Sequence, residues 1–238
     1  MKMGILSSIV SRRTMSRSYS HYLEKERKLL LAAVLKNVPS DGWTERAIIK
    51  GATDAGYDDS LRLRAFPGGA ADVIEYWSVL TDQDMVDELL EQEIQSLKVR
   101  ERITRCVRWR LEALSPHREA KKRAMSYLGQ PQNIRLSLRC LYCTVDEMWR
   151  ISGDTATDFN FYTKRGLLAG VYISTLLFWL EDDSKDFNET WLYLNRRIEN
   201  ALSIPKVQKK FSKISNALPK PHKFMYRLRE LFMEYNRY

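Results

Sequence analysis

The chain has 238 residues, 44% hydrophobic and 29% charged, enough to bury one sizeable core or two small ones, which excludes a disordered protein. Three cysteines (Cys106, Cys140, Cys143) exclude a disulfide framework in a chain this long and suit a reducing compartment. The net charge of +9 sits at the ends, +4 over residues 1–23 and +7 over residues 204–238, leaving the body at −2, so the basicity does not argue for a nucleic-acid-binding body.

Residues 1–23 hold Lys2, Arg12, Arg13 and Arg17 and no acid. An Arg- and Ser-rich, acid-free start reads as a mitochondrial transit peptide, and Arg17-Ser18-Tyr19-Ser20 resembles a processing site; a basic bacterial N-terminus is the alternative. Glu24 to Val38 is predicted helical, and Pro39-Ser40-Asp41-Gly42 breaks it. Thr44 then caps a short helix carrying Ala47, Ile48 and Ala52. A second short helix, Asp58 to Ala65, follows Gly56, and the pair has the outline of a helix-turn-helix. A long amphipathic helix starts near Ala70 and continues to Leu97. Arg100 to Leu114 is helical, with Ile103, Val107, Leu111 and Leu114 on one face. Pro116 and Pro131 bracket another helix, and Ile134 to Ile151 forms the next. The uncharged run Gly166 to Leu180 is fifteen residues, short of the roughly 20 that a spanning helix needs. A helix at Phe187 to Leu202 follows. After Pro219 and Pro221, Phe224, Met225, Leu228, Leu231, Phe232 and Tyr235 form an apolar stripe flanked by basic residues. Such a helix fits an anionic membrane surface; packing on its own body or on a second subunit is the alternative. No window alternates with period two, so the fold class is all-α.

The chemistry inventory is empty: no enzyme, cofactor or metal site is expected. His21, His117 and His222 lack the Glu-x-x-His spacing of a di-iron bundle. Cys140 and Cys143 form C-x-x-C without a second pair and read as core thiols. Over residues 44–66, Arg46, Lys50, Arg62 and Arg64 balance Glu45, Asp54, Asp58 and Asp59, so the helix-turn-helix lacks the positive surface that DNA requires. At Gly153-Asp154-Thr155-Ala156-Thr157-Asp158, Gly153 suits a left-handed helix cap and Thr155 and Asp158 a capping box. Phe159, Phe161 and Tyr162 exceed what one inward helix face accommodates, which points to a docking surface. The run Gly166 to Leu180 is apolar nearly all round and so must be buried on several sides, against the core and against a partner subunit, a lipid or a cavity.

The segments GWTERAIIKGATDAGYD, FPGGAADVIEYW, MWRISGDTATDFNFYTKRGLLAGVY and LEDDSKDFNETWLYLNRRIEN resemble the Coq-nine family of ubiquinone-biosynthesis accessory proteins, with GDxxTDFNxYTxR (Gly153 to Arg165) the most specific motif. The resemblance implies a TetR-like all-α bundle that has lost DNA binding, a homodimer, and a non-catalytic lipid-binding role. It implies an apolar pocket for isoprenoid quinone intermediates, assigned to Trp149, Leu168, Val171, Tyr172, Thr175, Leu176 and Trp179. It also implies docking of the di-iron demethoxyubiquinone hydroxylase on Asp154, Thr157, Asp158, Phe159, Phe161, Tyr162 and Arg165, and a peripheral place on the matrix side of the mitochondrial inner membrane or in an alphaproteobacterial cytoplasm. The family often has Trp where Phe161 stands, so any hydrogen bond of that indole is not carried over. The expected organisation is a transit peptide at 1–23, a helix-turn-helix-like part at 24–98, a ligand-binding and dimerisation part at 99–204, and a basic membrane-binding tail at 205–238. A TetR-type regulator with an apolar effector pocket is the alternative function.

Overall fold

Helix formation follows the sequence signals closely at the N-terminal side. The computed structural model describes residues 23–92, 94–154 and 159–211, and every regular element among them is helical. Helix α1, Glu24–Asp41, opens with Glu24 and Glu26 in its first turn, where the helix dipole favours acids. It runs past the predicted end at Val38 because Pro39 falls in its last turn, where the missing N–H removes only one bond. Helix α2, Glu45–Asp54, is capped by Thr44, whose hydroxyl accepts from the Ala47 N–H. Helix α3 follows at Asp59–Ala65. Helix α4, Ala70–Glu91, stops short of the predicted Leu97. Ile94–Ser96 instead forms a 3-10 turn, with Ile94 buried and Gln95 hydrogen-bonded elsewhere; burial and a distant partner override the local periodicity.

Helices α5 (Val99–Leu114), α6 (Arg118–Leu128), α7 (Ile134–Ile151), α8 (Phe159–Glu181) and α9 (Asn188–Phe211) complete the described chain. Helix α9 continues beyond the predicted Leu202 and through Pro205, so the expected division at residue 204 falls inside a helix.

The described residues divide into two compact units that interleave in sequence rather than meeting at residue 98. The first takes the chain up to Trp77 together with Glu119–Gln130. Its core is Leu30, Val34, Val38, Ala47, Ile48 and Phe66, with Trp43 and Trp77 rings 5.8 Å apart. The Trp43 indole donates to the Ala120 carbonyl at 3.0 Å, tying α6 to this unit. A Cβ on Gly51 would come within 2.9 Å of the Val34 backbone, so α1 and α2 approach only because this residue has no side chain.

The second unit comprises Ser78–Arg118 and the chain from Pro131 onward. Its interior is built from Val107, Leu111, Met148, Leu168, Leu176 and Trp179, all buried. The α8–α9 hairpin is closed by Asp182, whose carboxylate accepts from the Ser184 N–H at 2.8 Å and from both the Thr190 N–H and hydroxyl. No helix among the described residues is long and apolar enough to cross a membrane.

Candidate functional site

The C-terminus of α7 creates the corner that the motif spans. Gly153 adopts a left-handed conformation with φ 80°, and the Gly153 and Asp154 N–H groups fold back onto the Arg150 and Trp149 carbonyls at 3.1 and 3.0 Å. This is the reversal expected of a helix-terminating glycine. Two further carbonyls at the helix end are met by side chains. Gln95 Nε2 donates to Ile151 O at 2.8 Å, and Arg102 Nη1 donates to Ser152 O at 2.9 Å.

Asp154 then turns inward. Its side chain is 4% exposed and accepts from Lys164 Nζ at 2.7 Å and from Arg165 Nη1 at 3.0 Å. Arg165 also donates through Nε to Asp146 at 2.6 Å, and its guanidinium lies 3.3 Å from the Phe161 ring centroid. Lys164 and Arg165, adjacent on α8, thus balance Asp154 at the corner and Asp146 on α7, which is how the Asp154 carboxylate and the Arg165 guanidinium remain buried. Of the residues assigned to docking, Asp154 and Arg165 form the foundation of the corner, and Phe161 is half-buried beneath the Arg165 guanidinium. Thr157 and Asp158 lie outside the described residues, as do the side chains of Phe159 and Tyr162. Phe224, Met225, Leu228, Leu231, Phe232 and Tyr235, the membrane-binding assignment, lie outside them too.

Of the pocket residues, Leu168, Val171, Tyr172, Thr175, Leu176 and Trp179 form the buried face of α8. Trp149 is placed apart from these, half-buried at the corner with Lys164 Nζ 5.4 Å from its ring centroid. The opposite face of α8 is open: Gly166, Gly170 and Leu177 are exposed and Leu167, Ile173 and Ser174 half-buried. Composition alone put burial on several sides of this run, whereas within the single chain it is buried on one. A groove of about 710 Å³ lies at the far end of that open face, bordered by Leu177, Phe178, Glu181, Asp183 and Tyr193. It shares no residue with the assigned pocket. The Phe178 and Tyr193 rings stack there at 4.6 Å.

Sequence reasoning missed the polar centre of this unit. Arg110 is 1% exposed. Its Nε donates to Asp82 at 2.7 Å, Nη1 to the Tyr172 hydroxyl at 2.7 Å, and Nη2 to Ser78 Oγ and Thr144 Oγ1 at 3.0 and 3.1 Å. Thr144 in turn donates to the second Asp82 oxygen at 2.9 Å. Burial opposes the Arg110 charge, and the facing Asp82 outweighs it, so the guanidinium stays protonated. Burial likewise pushes the Tyr172 phenol up, keeping it neutral. A signal was available: Arg110 stands seven residues after Ile103, on the apolar stripe of α5.

In the helix-turn-helix-like part, Asp58 caps α3 by accepting from the Leu61 N–H at 2.7 Å. Arg62 is buried and pairs with Asp59 at 2.6 Å and with Glu45, so it does not face a phosphate. Cys140 is buried as expected of a core thiol, but Cys143 is exposed, because i and i+3 straddle the edge of the buried face of α7.

Residues 134–205, from the start of α7 through most of α9, match the COQ9 family model. The chain is 36% identical over 197 residues to the mitochondrial ubiquinone biosynthesis protein COQ9 of Rattus norvegicus, covering 79% of this chain and 62% of that protein. It is 33% identical to the Homo sapiens protein, covering 79% of this chain and 61% of that one. The chain therefore spans about three fifths of the length of these two relatives. It is 32% identical over 203 residues to COQ9-B of Xenopus laevis, covering 82% of this chain and 69% of that protein. In fold it is similar to a TetR transcriptional regulator from Nitrosomonas europaea ATCC 19718, with a TM-score of 0.61 over 75% of this chain and 98% of that one at 20% identity. The all-α architecture is TetR-like, and the chain belongs to the COQ9 family of ubiquinone biosynthesis proteins.

Proposed function

We propose that this protein serves ubiquinone biosynthesis in mitochondria as a non-catalytic accessory protein. It binds isoprenoid quinone intermediates and presents them, at the matrix face of the inner membrane, to the di-iron demethoxyubiquinone hydroxylase. The observation that carries this reading is the α7–α8 corner. There a left-handed glycine and the ion pairs of Asp154 and Asp146 with Lys164 and Arg165 fix the backbone on either side of the motif that carries Tyr162. The open face of α8, with Gly166, Gly170 and Leu177, supports a homodimer built on this helix. The basic apolar stripe from Phe224 to Tyr235 supports attachment to an anionic membrane.

The TetR-type regulator is not favoured, since the likeness to a regulator is one of fold and Arg62 is turned into the protein. Binding of purified hydroxylase to wild type and to Tyr162→Ala tests the main reading. Tyr162→Ala is expected to fold normally and bind at least tenfold more weakly, on the order of a mid-sized interface hot spot. Equal binding refutes the docking surface.

A further inference from the structure

We propose that Arg102 and Gln95 are positioning residues for the docking corner, an inference that rests on the docking reading above. Neither lies in the motif Gly153–Arg165 nor in the family-matched span 134–205. They act on the corner through the end of α7.

A helix leaves its last carbonyls without intrahelical donors. At the end of α7, Met148, Trp149 and Arg150 carbonyls are taken by the N–H groups of Ser152, Asp154 and Gly153. The next two, Ile151 and Ser152, are met by Gln95 and Arg102. Arg102 places a positive charge at the negative end of the helix dipole as well as a donor. The guanidinium is itself held firmly. Nε donates to Leu97 O at 2.8 Å, Nη2 to Gln95 O at 2.5 Å, and Nη1 to Gln95 Oε1 at 3.0 Å. All three of its nitrogens are committed, so Arg102 joins the 3-10 turn at Ile94–Ser96 to the corner as a rigid bracket.

Gly153 fits this bracket twice over. Its φ of 80° suits glycine, and a Cβ there would sit 3.1 Å from Arg102 Nη1. A side chain would strain the backbone and displace the guanidinium together. From the other direction, Lys164 and Arg165 grip Asp154. The chain therefore leaves α7 held on two sides, by α8 through the motif's own cations and by the α5 entrance through Arg102. The break in α4 at Glu91, which sequence periodicity does not anticipate, is what puts Gln95 within reach of Ile151.

The test uses the full chain and the purified hydroxylase. Dissociation constants are measured for wild type, Arg102→Ala, Arg102→Lys, Tyr162→Ala and the Arg102→Ala/Tyr162→Ala double variant, with hydrogen exchange on each free protein. Arg102→Ala is expected to bind about tenfold more weakly, the scale of one charge-assisted hydrogen bond. Arg102→Lys, which keeps the charge and loses the fork, is expected to fall between it and wild type. Amides from Gly153 to Arg165 exchange faster in Arg102→Ala while those of α1 and α2 are unchanged. The double variant loses less than the product of the single losses, because both act on one surface.

A purely structural Arg102 gives a multiplicative double variant and unaltered exchange at the corner, and either result overturns the proposal. Wild-type affinity in Arg102→Ala alongside weakened Tyr162→Ala also overturns it. If Tyr162→Ala binds as wild type, the docking reading itself has failed and the inference falls with it. Should Arg102→Ala not fold, Gln95→Ala removes the Ile151 contact alone and is read by the same criteria.

Discussion

Replacing Arg110 with methionine is the most informative perturbation of the second unit. Arg110 is almost wholly buried and serves Asp82, Tyr172, Ser78 and Thr144 at once. Methionine matches the stem but leaves the Asp82 carboxylate buried with only the Thr144 hydroxyl facing it. Removing one partner of a buried ion pair costs roughly 3–5 kcal/mol, because the other charge stays desolvated and uncompensated. That is a large part of the 5–15 kcal/mol or so that holds a typical domain folded. In a chain of this size each kcal/mol moves the melting temperature by about 2–4 °C, so a fall of about 6–20 °C is expected. Urea and thermal unfolding, followed by far-ultraviolet circular dichroism, read both quantities. The double variant Arg110→Met/Asp82→Leu removes both charges, and it is expected to recover most of the loss. A single variant within about 1 kcal/mol of wild type, or a double variant no more stable than the single, would refute the uncompensated-charge argument.

Two further outcomes follow from buried groups elsewhere in the second unit. Burial works against the Asp182 charge, and hydrogen bonds from Thr190 and Ser184 overcome it, holding the carboxyl down at about 2. A depressed folded-state pKa gives stability that is present above the ordinary aspartate range and lost as pH falls through the folded value. Wild type should therefore lose stability between about pH 4 and pH 2 more steeply than Asp182→Asn, measured as urea midpoints; parallel curves would show that Asp182 does not carry this dependence. Burial also pushes the Cys106 thiol up to about 12, and Cys140 is buried beside exposed Cys143. At pH 8 a maleimide should modify Cys143 alone in the native protein, read by peptide mass spectrometry; modification of Cys106 before unfolding contradicts the packing described.

Much of the fold was legible because its signals are local. Thr44 and Asp58 cap the helices they precede, Pro116 and Pro131 bracket α6, and Gly153 ends α7 in the left-handed conformation that its position suggested. The α4 end was not legible, since nothing between Glu91 and Leu97 breaks a helix by itself. Burial of Ile94 and the reach of Gln95 to Ile151 decide it. The candidate site divides in the same way. The motif marks the corner, but that Asp154 and Arg165 face inward depends on which cations and carboxylates the fold brings together.

The sequence by itself determined an all-helical chain, a charge-neutral helix-turn-helix-like part over residues 44–66, and a family resemblance whose motif lies at one helix corner. These follow from periodicity, caps and charge, which act over a few residues. Only the tertiary structure decided that α8 buries one face and leaves the other open, that Arg110 is neutralised by Asp82, and that Arg102 holds the end of α7. In each case the partner lies tens of residues away, and pairing buried charges and orphan carbonyls is a requirement that only the folded chain can meet.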